Sequence, residues 1–84
     1  MKIPTIVRFG GEKHIEIPID YKILSKEKKL VAILGNRKVE TDFENINTDL
    51  EKIIEEIREE NCGNSRVLVE TTFMPIEDIE LEII

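Results

Sequence analysis

The chain has 84 residues, 36% of them charged, a net charge of −6 and a single cysteine. That is one small domain, residues 1–84, with no internal disulfide to brace it. It has no apolar run near the ~20 residues that cross a bilayer and no signal-like segment, so a cytoplasmic protein off the membrane is expected.

The charge is unevenly spread. Residues 1–42 hold nine basic and six acidic side chains, and residues 43–84 hold three and twelve, so a net +3 half precedes a net −9 half. Such asymmetry bears on partners and association rate rather than on fold. Fifteen isoleucines, one alanine and no glutamine or tryptophan match both the Ile/Glu/Lys balance of proteins that work hot and the output of AT-rich codons. β-branched residues interleave with the charges throughout, which argues against disorder.

Two strands are expected at 3–9 and 14–19, joined by Gly10-Gly11-Glu12. A three-residue loop pairs Phe9 with Lys13, Val7 with Ile15, Thr5 with Ile17 and Ile3 with Ile19. This gathers the apolar side chains on one face and leaves Pro4, Arg8, His14, Glu16 and Pro18 on the other. Opposed prolines weaken both ladders, so the hairpin is expected at a sheet edge. A short strand at 21–24 precedes the charged turn 25–29. Residues 30–34, an unbroken apolar run, read as a central strand covered on both faces, with Ile33 buried. Gly35-Asn36 marks a turn, and 38–43 alternates with Val39, Thr41 and Phe43 inward.

Thr48 and Glu51 have capping-box spacing, and Leu50, Ile53, Ile54 and Ile57 form a helical stripe, so an amphipathic helix is expected over about 48–61, ended near Gly63. A strand follows at 66–73 with Phe73 inward. Over 76–84 the pattern fits a final strand at 78–84, with a short helix opened by Pro75 as the competitor. The element order implies an α+β fold: a mainly antiparallel or mixed sheet of about five to seven strands with the helix on one face, and a β-grasp-like arrangement is compatible with it.

No catalytic residue, cofactor site or metal site is assigned. Cys62 lies at a helix C-terminus after Glu59 and Glu60, where a thiolate is disfavoured. His14 has no Ser, Cys or Asp near it at a recognisable spacing and reads as a surface residue. Ser25 and Ser65 sit in turn-like settings. Gly10-Gly11 lacks the Gly-Lys-Ser/Thr ending of a phosphate loop.

The candidate interaction surface is charged. Glu55, Glu56, Glu59 and Glu60 crowd the last turns of the helix, each like-charge i,i+4 pair costing about 0.2–0.5 kcal/mol when exposed. They would face water, a partner, or the chain's own cluster of Lys22, Lys26, Lys28 and Lys29. Lys26, Lys28 and Lys29, with Arg37 and Lys38 in the next turn, are the candidate basic contacts.

The leading expectation is a non-enzymatic protein that works through protein–protein contact, as a homodimer or accessory subunit paired at a strand edge, with the tail 78–84 the favoured edge. The alternatives are nucleic-acid contact through turns 26–29 and 37–38, and an enzyme or small-ligand protein whose site is shared across subunits. An acidic chain with one tyrosine and no tryptophan is a poor base-stacking surface, which puts nucleic acid second.

Overall fold

The computed structural model describes residues 1–11, 14–63 and 67–83. The alternating first half folds as an antiparallel meander of β1 (Lys2–Phe9), β2 (Ile15–Leu24), β3 (Lys29–Leu34) and β4 (Arg37–Thr41). Helix α1 (Ile46–Cys62) follows, then β5 (Val69–Pro75), a single 3-10 turn (Ile76–Asp78) and the short β6 (Glu82–Ile83). The sheet order is β4-β3-β2-β1-β5, with β6 lying parallel to β2 beside Lys22 and Ile23. The α+β expectation is met: one helix packs on a six-stranded sheet. That helix carries the chain from one edge strand, β4, to the other, β5.

Cross-strand partners share a face, so register defines the core. Ile19, Leu34 and Arg37 form one row on the helix side; Tyr21, Ala32 and Val39 form the next; Ile23, Leu30 and Thr41 form the third. Leu30, Ala32 and Leu34 are buried, as are Ile46, Leu50, Ile54 and Ile57 of α1, which pack with them in one cluster. Fully burying a side chain of this size stabilises by about 1.5–3 kcal/mol, which makes this layer the main source of cohesion.

The opening hairpin departs from expectation in two ways. Its register is Val7↔Ile17 and Phe9↔Ile15, shifted by two residues, with a five-residue connection at 10–14. Gly10 does not close a tight turn; its N–H donates to the Leu68 carbonyl at 2.8 Å. A shift of two preserves the faces, so Val7 and Phe9 remain buried. The expected pairing of Phe9 with Lys13 falls on a residue outside those described.

Nor is the hairpin an edge, since β1 lies between β2 and β5, and β2 between β1 and β3. The prolines are tolerated where ladders break. Pro18 holds the last pair of the β1–β2 ladder, after which β2 continues unbroken through Tyr21 to Leu24 against β3. Pro4 sits at a bulge against β5, where Thr5 is the extra residue and its hydroxyl donates to the Thr72 carbonyl at 3.1 Å. The bulge reverses the alternation, so Pro4 is buried rather than outward. The buried Tyr21 hydroxyl donates to the Pro4 carbonyl across the gap between β1 and β2, and burial pushes its pKa up.

Three further side chains differ. Ile33 is half-buried, because β3 is covered by α1 on one face only. Phe43 and Phe73 are exposed, the first beyond the end of β4 and the second on an edge strand that the helix covers incompletely.

The helix begins earlier than its sequence cap. Burial of Ile46 draws the first turn back to an N-cap at Asn45, so Thr48 lies inside the helix. Asp42 organises the approach: its carboxylate accepts the Glu44 and Asn45 N–H groups at 2.9 and 2.8 Å, and both of its oxygens accept from the Asn45 amide at 3.0 Å. Gly63 ends the helix at positive φ, its N–H donating to the Glu59 carbonyl at 3.0 Å. The tail resolves into both expected forms, a helical turn and then a two-residue strand.

Candidate functional site

Strand alternation and two hairpin turns decide where the charged residues go. The β2–β3 turn spans Ser25 to Lys28, and Lys26 and Lys28 are exposed on it. Lys28 adopts φ 53°, the left-handed region that L-residues avoid. The β3–β4 turn is the two-residue Gly35-Asn36, with Gly35 at φ 61° and Asn36 at negative φ, as a type II′ hairpin requires. These turns cap opposite ends of β3. Five residue steps separate Lys29 from Leu34, about 17 Å of strand, so the two basic turns do not form one patch.

Arg37 and Lys38 are further divided by the two-residue period, and they leave opposite faces of β4. Arg37 shares the helix-side row of Leu34 and Ile19, whereas Lys38 lies opposite Ile33. Arg37 therefore reaches α1: one guanidinium nitrogen donates to Glu56 at 3.0 Å and the other to Glu60. The helix's carboxylates thus find a cation of their own chain, but it is this single arginine and not the lysine cluster. Lys22 pairs with Glu82 at 3.7 Å and Lys29 with Glu40 at 3.6 Å. Glu55 accepts from Arg58 within the helix at 2.6 Å, a bond that holds its carboxyl below the usual range. Glu59 stays exposed with no ion pair among the described residues.

The opposite edge of the sheet carries a different chemistry. β5 pairs with β1 along its length, from Phe9↔Val69 to Lys2↔Pro75, and among the described residues with no other strand. Its single charge is Glu70, and Phe73 (49%) and Met74 (38%) stand exposed, with Leu68 (67%) just before it. Beneath Phe73 a cleft of about 270 Å³ opens between β5 and the helix, walled by Pro4, Leu50, Ile54, Val69 and Thr71. Sequence alternation misplaced this edge because it assigns a face but not whether anything covers it. The available signal was a seven-residue β-prone run with one charge.

Residues weighed for chemistry remain apart from one another. Cys62 is the half-buried last residue of α1, and His14 is exposed just before β2, against a small cleft with Arg8, Gly10, Leu68 and Glu70. Ser65 lies outside the described residues. Among the described residues no three of His, Cys, Asp and Glu converge as a metal-ligand set, and no helix is long and apolar enough to cross a membrane. Comparison with protein-family models, curated proteins and solved structures finds no match.

Proposed function

We propose that this chain is a non-enzymatic, cytoplasmic interaction module that associates with a second copy of itself through β5. The observation that carries the reading is the β5 edge: seven residues, one charge, and exposed Phe73 and Met74 on an open ladder. An open edge is a template for another strand, and apolar side chains beside it give pairing a hydrophobic contribution. This replaces the tail as the preferred edge, because β6 already pairs with β2 and is two residues long.

The β5 sequence is self-complementary. An antiparallel two-fold pairing centred on Thr72 sets Glu70 opposite Met74 and Thr71 opposite Phe73, and keeps the two Glu70 carboxylates apart. Each protomer carries −6, so salt should strengthen association by screening repulsion. Nucleic-acid binding would show the reverse dependence.

Sedimentation equilibrium from micromolar to near-millimolar concentration tests the reading. A reversible dimer is expected, tighter at high salt and dissociated in Phe73→Glu. A strict monomer over that range would refute it.

A further inference from the structure

The backbone of β5 restricts the registers in which a second copy can join it. The Leu68 carbonyl accepts from the Gly10 N–H at 2.8 Å and the Thr72 carbonyl from the Thr5 hydroxyl at 3.1 Å, while the Ile76 N–H donates to the Met1 carbonyl at 2.9 Å. Even-numbered residues thus turn their backbone groups toward β1, and Val69, Thr71 and Phe73 direct theirs outward. An incoming β5 must bond these to its own outward groups. The pairing centred on Thr72 does so, setting Thr71 opposite the partner's Phe73. Directly opposed residues share a face. Thr71 lies opposite the buried Val7, on the helix side, so the partner's Phe73 arrives on the helix side as well.

We infer that the cleft between β5 and α1 is the seat of the partner's Phe73 ring, a placement that rests on the β5 pairing proposed above. Thr71 lines that cleft from the strand, and Leu50 and Ile54 line it from the helix. At about 270 Å³ it lies just below the range of ordinary ligand pockets, about 300–1,000 Å³, and is scaled to one side chain. Glu51 is its one charged lining residue among those described, so the lining suits an aromatic ring better than a charged side chain. The two-fold makes the exchange reciprocal: each copy's Phe73 fills the other's cleft. The two rings are diagonal neighbours across the axis, within reach of each other. Phe73, half-exposed in the single chain, becomes the buried anchor of the pair. Both helices then lie on the same face of one continuous sheet.

Isotope-filtered NOE spectra of the full chain test the placement, with one copy labelled at its Ile and Leu methyls and mixed with an unlabelled copy. Cross-peaks from the unlabelled Phe73 ring to the labelled Leu50 and Ile54 methyls are expected, and an unlabelled Phe73→Leu copy should abolish them. Thr71→Phe, which fills the cleft from within its own chain, should weaken self-association by at least about tenfold with helix and strand content unchanged. A dimer that lacks these cross-peaks, or that keeps its affinity in Thr71→Phe, overturns the cleft assignment and leaves the β5 pairing standing. A strict monomer from micromolar to near-millimolar concentration overturns both.

Discussion

The two edges of the sheet, β4 and β5, are built on opposite principles. Three of the five residues of β4 are charged, and two of them are engaged: Arg37 with Glu56 and Glu60 of α1, Glu40 with Lys29. Such an edge presents charge to any approaching strand and is discouraged from pairing. β5 has one charge in seven residues and exposes Phe73 and Met74. One small sheet thus ends in a guarded edge and an unguarded one. The contrast sets the proposed interaction surface apart more sharply than the overall charge asymmetry does, because five of the nine candidate charges, Lys29, Arg37, Glu55, Glu56 and Glu60, form ion pairs within the chain.

The largest expected effect tests the layer on which both edges depend. Leu34→Ala, in the row between Ile19 and Arg37, should destabilise by ~2–5 kcal/mol through lost burial and a cavity, read as a lower urea midpoint. Ile33→Ala, one residue along and facing away from the helix, should cost clearly less. Equal losses would mean that the two faces of β3 are packed alike.

Next comes the open edge. Phe73→Glu should weaken self-association by about 1–3 kcal/mol while leaving the monomer folded, since Phe73 is half-exposed and its loss opens no core cavity. Retained secondary structure with lost concentration dependence is the expected pair of readings. Unfolding of the variant would place Phe73 in the core instead.

Lys28→Gly should stabilise by about 1 kcal/mol, because glycine relieves the left-handed strain at φ 53° in the β2–β3 turn. A raised melting temperature checks it. Arg37→Ala, which unguards the β4 edge, should cost up to about 1 kcal/mol, and salt should erase most of the difference from the parent chain. A loss insensitive to salt would show that the arginine acts by packing its stem.

The smallest effect concerns the turn that joins β4 to α1. The side-chain and then the backbone hydrogen bond from Asn45 hold the Asp42 carboxyl below its ordinary range. Its stabilising contribution is complete above the ordinary carboxylate pKa near 4 and is lost as pH falls through the lower folded value. Asp42→Ala should therefore match the parent chain's stability at low pH and fall behind it at neutral pH.

Much of the fold is legible in local pattern. Alternation places Val7, Phe9 and Ile19 inward, and the Leu50/Ile54/Ile57 stripe identifies the helix and its buried face. What escaped depends on partners distant in sequence. Prolines at 4 and 18 signalled broken ladders correctly, yet a bulge at Thr5 and the departure of β2 toward β3 accommodate them inside the sheet. The helix start moved because burial of Ile46 outweighs a cap at Thr48. Among the candidate interaction residues, Arg37, Glu56 and Glu60 stand far apart in sequence, and only register reveals that they meet one another. The openness of β5 was invisible for the same reason, since an edge is defined by the strand that is not there.

Amide hydrogen exchange, followed residue by residue at two protein concentrations, tests the contrast between the edges most directly. The account predicts that β5 amides that point away from β1 become more protected at the higher concentration, while the outward amides of β4 exchange at the same rate in both samples. Concentration-dependent protection on β4 instead, or on neither edge, would contradict it.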